Sequence, residues 1–294
     1  MKRALPWIVL FLLLAIPGTA AAAKLDPLVL YTASLRPVTP YFATVRVDMP
    51  TGTARLEVLS TGQGIYVRSP QPWPAMGEHG MMARPAGQVF KEDEETLSSP
   101  QSVSRNFRLQ VSDGETVLGR QTYKLELIPK WSGSIHRTLL LDRDTLVTLR
   151  LEDRDHADAL VQRQEVLAID LNPDLLRFTV QRAEGAGADR VMEVSEAERA
   201  IGFKLALPKV LPPGFVLYGV RLSPVHPEVA HLVFTDGVTV VSLFEQVIPW
   251  WARLGAGTTK ESEHGHQFVR GNLTLFLVGN IPPEELRRMR DSIS

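Results

Sequence analysis

Residues Leu205–Gln246 read LALPKVLPPGFVLYGVRLSPVHPEVAHLVFTDGVTVVSLFEQ. Two β-favouring runs, Val229–Thr235 and Val238–Gln246, flank Asp236-Gly237. That dipeptide favours a two-residue type I′ hairpin turn, because both of its central positions need positive φ. Upstream, Leu211-Pro212-Pro213-Gly214 interrupts the chain, and Phe215–Leu222 restarts it as a strand. Val238, Val240 and Phe244 fall on one face of the second hairpin strand, and Val241 and Leu243 on the other. A strand apolar on both sides belongs inside a covered sheet. Nothing in the stretch carries catalytic chemistry, so it reads as part of a compact binding domain.

Working outward, Ser195-Glu196-Ala197-Glu198 fits a capping box that opens a short helix ending near Gly202. Downstream, Ile248–Gly257 reads as a loop, while His266–Arg270 and Leu273–Val278 read as strands around Gly271-Asn272. Pro282-Pro283-Glu284-Glu285 then starts a last helix, since proline suits the first turn and acidic side chains favour its dipole. Leu286, Met289 and Ile293 share one side of that helix and are expected to pack on the sheet. This half is α+β and antiparallel.

The first half reads as an antiparallel meander of about eight strands with no sustained helical period. Its candidates are Tyr41–Asp48, Ala54–Leu59, Gly64–Arg68, Val103–Val111, Thr116–Ile128, Ser134–Leu141, Thr145–Leu151 and Val161–Leu171. Strict alternation over Tyr123–Leu127 buries one face and wets the other, so the sheet must curl to hide its apolar side. Ser69–Ser102 breaks the pattern with five prolines. It reads either as a solvated insertion or as a flap whose Trp73, Met76, Met81 and Met82 close over an apolar cavity. Gln181–Arg190, polar and glycine-containing, reads as a linker.

At 294 residues, 44% hydrophobic and 22% charged, the chain can build a sizeable core. A net charge of −1 makes no electrostatic case for nucleic acid. Lys2-Arg3, the apolar run Trp7–Ile16 and the small residues Ala20–Ala23 read as a secretory signal peptide over 1–23. The run is about half the ~20 residues a spanning helix requires. The expected location is therefore periplasmic or otherwise extracytoplasmic, soluble after cleavage. Cysteine is absent, which excludes thiolate zinc sites and thiol nucleophiles.

The sequence carries little reactive chemistry. No Gly-x-Ser-x-Gly elbow or strand-to-helix phosphate loop occurs. His264 and His266 share a strand face but stand in a polar turn, Glu261–His266, expected to be solvated. His226 and His231 flank a proline-rich turn and read as surface or capping residues. The pairs Asp142/Asp144 and Glu126/Glu152 read as solvated charge. No catalytic residue, metal site or cofactor is expected. Trp250-Trp251 is the candidate partner contact, the alternative being that both indoles cap the sheet.

Two sets of fragments resemble one family. Val117-Leu118-Gly119-Arg120, Tyr123-Lys124-Leu125-Glu126-Leu127-Ile128-Pro129, Leu139–Asp142 and Thr145–Arg150 form the first. The second is Leu211-Pro212-Pro213-Gly214-Phe215, His231–Gly237, Val240–Phe244 and Leu277–Pro282. In this order they are similar to the RseB/MucB family of periplasmic sigma-factor regulators. The resemblance implies a LolA/LolB-like half-barrel over 24–180 with an apolar concave face. A linker over 181–193 and a smaller α+β domain over 194–294 with a C-terminal helix would follow. It further implies binding to the exported segment of an anti-sigma factor, limiting its proteolysis, with relief by a lipid-like ligand. A lipid or lipoprotein carrier without a sigma-factor partner is the competing reading, and an envelope-associated structural module a third. One departure is expected: Leu25–Arg36, containing Pro27, looks too short and broken for the helix this family packs in its barrel mouth.

Overall fold

The computed structural model describes residues 25–50, 52–61, 64–70, 89–92, 99–175, 191–222, 228–248, 260–262 and 265–294. The signal segment and the flap residues Trp73, Met76, Met81 and Met82 lie outside them, as do Trp250, Trp251 and nearly all of the linker.

The first finding corrects the sequence reading. Pro27–Leu35 is a helix, α1, with Asp26 accepting from the Leu28 amide at 2.8 Å. Pro27 sits at its first position, where the fixed φ is already helical and the missing N–H would have had no partner. The proline that looked like a breaker starts the helix. Among the described residues nine strands follow, one more than expected: β1 (Tyr41–Met49), β2 (Gly52–Ser60), β3 (Ile65–Arg68), β4 (Val89–Glu92), β5 (Phe107–Asp113), β6 (Thr122–Pro129), β7 (His136–Asp142), β8 (Thr148–Arg154) and β9 (Leu160–Asp170). They form one antiparallel sheet in the order β4-β3-β2-β1-β9-β8-β7-β6-β5, an open half-barrel.

Between β4 and β5, Pro100–Asn106 is a helix, α2, where a strand was expected from Val103. Ser99 caps it and Pro100 takes its first position, so local capping outweighs the β propensity of Val103. The expected strand from Thr116 starts only at Thr122, because residues 114–121 form a loop closed by a bridge between Val117 and Arg120.

The alternation of β1 shows how the sheet curls. Tyr41, Ala43, Val45 and Val47 are buried, while Phe42, Thr44 and Arg46 are half-buried. On the opposite, outer face, charges meet across the strands: Arg46 and Arg150 both pair with Glu165, Arg68 with Glu57 and Arg163 with Glu152. Such surface pairs set register and solubility more than stability, at ~0–1 kcal/mol each.

The second sheet contains β10 (Val216–Leu222), β11 (Val229–Thr235), β12 (Val240–Val247), β13 (Lys260–Ser262), β14 (Gly265–Arg270) and β15 (Leu273–Gly279), ordered β10-β11-β12-β15-β14-β13. Helices α3 (Val194–Ile201) and α4 (Pro283–Asp291) belong to this half. α3 begins one residue before the expected capping box; Glu193 holds the cap position and no side chain bonds there. Leu286, Met289 and Ile293 enter one core with Leu232, Leu243, Phe268, Leu275 and Leu277.

The turn that organised the sequence reading differs in kind. Thr235 pairs with Val240, so four residues, Asp236–Thr239, connect β11 and β12 in place of a two-residue I′ turn. Asp236 Oδ1 accepts from the Val238 and Thr239 amides at 2.9 and 2.7 Å, and Thr235 Oγ1 donates to the Thr239 carbonyl. Those bonds wind a four-residue loop, and the loop is buried.

It is buried because it docks on the first half. Asn106 Nδ2 donates to the Asp236 carbonyl at 2.8 Å and to the Gly214 carbonyl at 2.9 Å. Asn106 Oδ1 accepts from the Trp131 indole at 3.2 Å. Gly237, at φ +100°, lies so close to Ser102 and Val103 that a Cβ would sit 3.0 Å from each. Val238 joins the core of Val103, Phe107, Leu125 and Leu127. We predict that Asn106→Ala, which strands the buried Asp236 carbonyl and the part-buried Gly214 carbonyl, costs about 2–4 kcal/mol in urea denaturation. Gly237→Ala should be at least as damaging, since it adds an atom at a contact and strains φ.

Candidate functional site

The concave face of the half-barrel is lined by two apolar clusters. One gathers Leu125, Leu127, Leu139 and Leu141 from β6 and β7 beneath Leu30 and Tyr31 of α1 and Val103 of α2. Leu30 is 5% exposed and Tyr31 2%, so α1 fills this end of the face as a plug. The expected absence of a mouth helix is thus overturned. The other cluster holds Tyr41, Ala43, Val45, Val47, Leu56, Val67, Leu149 and Val166 from the strands around β1.

Beside the plug runs the seam where the two halves touch. Trp131, in the β6–β7 loop, remains 45% exposed above Gly214 while its indole N–H is held by Asn106. Asp153 is buried under Arg137, which binds it in a two-pronged pair at 2.7 and 2.8 Å, and Gln162 donates to it as well. Arg137 also throws its charge on Asp236, whose carboxyl burial nevertheless pushes up. Sequence reasoning missed this seam. Its one legible signal was the aromatic Trp131 next to Gly133.

Several ionisable groups are enclosed, among them Asp142 and His266, which read as solvated in the sequence. Asp142 is fully buried, accepting from Arg120 at 2.8 Å and Thr145 at 2.5 Å; burial opposes its charge, but these donors hold its pKa below the usual carboxylate value. His266 is 1% exposed, and burial with Arg290 nearby lowers its pKa. His231 stacks on Phe244 at 4.3 Å and shares a hydrogen with Ser242 at 2.8 Å; burial, with Arg221 adding, lowers its pKa to about 4. Glu245 is fully buried with one oxygen on the Ala206 amide at 2.9 Å, and burial raises its pKa to about 7.

These groups do not converge. Glu245 lies opposite Leu275 on β15, whereas His266 is opposite Leu277 from the strand beyond. A cavity of about 290 Å³ lies elsewhere, on the outer face of the first sheet, lined by Glu115, Lys124, Arg150 and Glu152 among others. Its carboxylates are engaged: Glu115 with Arg150, and Glu152 with Arg154 and Arg163. Among the described residues no cluster of three metal-ligating side chains forms. No helix among them is long and apolar enough to cross a membrane.

No family model matches the sequence, and no curated protein matches it. Solved structures do match its shape. The complex of Pseudomonas aeruginosa MucA and MucB aligns with a TM-score of 0.60 at 17% identity, covering 92% of this chain and 99% of that one. MucB in complex with MucA(peri) aligns at 0.60 and 18%, covering 92% and 98%. MucB alone gives 0.61 and 17%, covering 93% and 98%. Along more than nine-tenths of its length, this chain therefore shares the fold of MucB, the fold its sequence motifs implied.

Glu245 provides a direct test of the second core. Its folded pKa lies above the unfolded value, so the stability it lends is complete below about pH 4.5 and is lost as pH rises to about 7. Glu245→Gln should remove that decline and stabilise the protein at pH 8 by up to about 3 kcal/mol, with little change at pH 4.5. Urea midpoints at the two pH values check it.

Proposed function

We propose that this protein is an extracytoplasmic regulatory binding protein of the RseB/MucB kind. It grips the exported segment of a membrane anti-sigma factor and limits its proteolysis. The observation that carries the reading is the match to MucB along the whole two-sheet arrangement, one of the matched structures being a complex with MucA(peri). The motifs in both halves of the sequence support it independently, as does a site made of apolar surface and seam in preference to converging reactive groups. A lipid-like ligand would act through the β1-centred cluster of the concave face, the end that α1 does not plug.

A carrier without a sigma-factor partner is the second reading, favoured by that same apolar cluster. The filling of the other end by Leu30 and Tyr31 counts against it, since a carrier gains from an unobstructed face.

The test is binding and protection together. The purified exported segment of a single-span protein encoded beside this one should bind with micromolar or tighter affinity by calorimetry. Its cleavage by an added site-specific protease should slow at least tenfold. Failure of both, with phospholipid co-purifying in stoichiometric amount, would establish the carrier instead.

A further inference from the structure

Strand β5 ends the nine-stranded sheet, and its register fixes which backbone groups are left over. The Lys130 amide donates to the Asn106 carbonyl at 2.9 Å and the Gly114 amide to the Thr122 carbonyl at 3.0 Å. Between these bonds β5 and β6 pair without a shift, Arg108 with Ile128, Gln110 with Glu126 and Ser112 with Lys124. In an antiparallel ladder bonded and non-bonded pairs alternate. Arg108, Gln110 and Ser112 therefore spend their backbone groups on β6. Phe107, Leu109, Val111 and Asp113 turn theirs outward. The Phe107 amide is taken by the Val103 carbonyl of α2. That leaves the amides of 109, 111 and 113 and the carbonyls of 107, 109 and 111 without a partner among the described residues.

Long open edges are ordinarily blunted by proline, lysine or a bulge. β5, FRLQVSD, has none of the three. The edge of the second sheet is handled differently: Met192 covers β10 by exchanging bonds with Val220 at 2.8 and 3.0 Å. β13, at that sheet's other end, is only three residues long.

We propose that the β5 edge takes an extended segment of the partner polypeptide as a tenth strand. The proposal rests on the binding function above and deepens it by naming where and how the segment is held. The edge also says what the segment looks like. Side chains beside half-buried Leu109 and Val111, which pack on the plugged apolar cluster, are apolar. Those on the alternate face lie beside Arg108 and Gln110, both exposed. Arg108, and Arg105 at the end of α2, have no carboxylate partner among the described residues, so an acidic side chain sits there. Backbone bonds supply affinity and this alternation supplies selectivity.

Residue-resolved amide exchange on the full chain tests it, with the exported segment of the neighbouring single-span protein as probe. In the free protein the amides of Leu109, Val111 and Asp113 should exchange readily while those of Gln110 and Ser112 are protected. With the segment bound, protection at 109, 111 and 113 should rise at least tenfold. Val111→Pro removes one outward N–H and no ladder bond, and should weaken binding at least tenfold; Arg108→Glu, at an exposed side chain, should weaken a segment carrying an acid. Should the proline variant fail to fold, the wild-type exchange pattern and Arg108→Glu decide. Tight binding with no change at the three amides overturns the edge proposal and leaves the proposed function standing. Absence of binding by the wild type overturns that function and this inference together. Protection that grows with protein concentration alone would assign the edge to a second copy of this chain and overturn the proposal.

Discussion

One carboxamide holds the two sheets in their observed contact. Asn106 is 2% exposed, and both of its functional atoms are used: its nitrogen donates to two backbone carbonyls of the second half and its oxygen accepts an indole N–H of the first. A buried amide is costly unless so satisfied, and loop carbonyls cannot be buried without a donor. The dependence runs both ways. Because the Asp236 carbonyl must meet Asn106, Gly237 has to pass against Ser102 and Val103, and that passage is open only to a residue without a side chain at φ +100°. Val238 is thereby delivered into the core under α1. The hairpin end of one sheet thus becomes part of the other sheet's hydrophobic interior.

This arrangement explains why the concave face has two unlike ends. Close to the seam, α1, α2 and Val238 share one cluster with β6 and β7, so that end is a finished core. Around β1 the lining comes from the strands themselves, with no helix among its members. A half-barrel left open at β4 and β5 has paired every strand between them. Among its described residues the outward side of β5 stays unpaired.

Much of this was written plainly in the sequence. The alternation over Tyr123–Leu127 and the twin apolar faces after Gly237 placed the sheets, and Leu286, Met289 and Ile293 placed the last helix. The failures share a cause: they depend on partners far along the chain. Asp142 looked like a turn residue, yet it is buried by Arg120, which is 22 residues upstream. Asp236-Gly237 looked like a two-residue hairpin turn, and the partner that its carbonyl meets, Asn106, is 130 residues away. Pro27 and Val103 were misread for a different reason. Proline at a first helical position and a β-branched residue inside a capped turn both depart from average propensity, and the local cap decides against the average. The candidate contacts Trp73, Met76, Met81, Met82, Trp250 and Trp251 fall outside the described residues.

The outer charges of the first sheet and the enclosed groups of the second answer to different variables. On the outer face of the first, arginines and carboxylates meet across strands, part-exposed, where added salt weakens each pair. In the second, Glu245 and His266 are enclosed without an opposite charge bonded to them, and burial drives each toward its neutral form. Salt does little to a neutral, buried group, whereas a change of pH must either charge it or leave it alone. His231 and Glu245 then pull in contrary directions. Neutral His231 favours the fold less as pH falls from about 6.5 toward 4, while neutral Glu245 favours it more as pH falls from about 7. Between about pH 4.5 and 6.5 these two slopes oppose each other and cancel in part. Ionic strength therefore addresses the exposed pairs of the first sheet, and a rise of pH toward about 7 addresses Glu245 in the second.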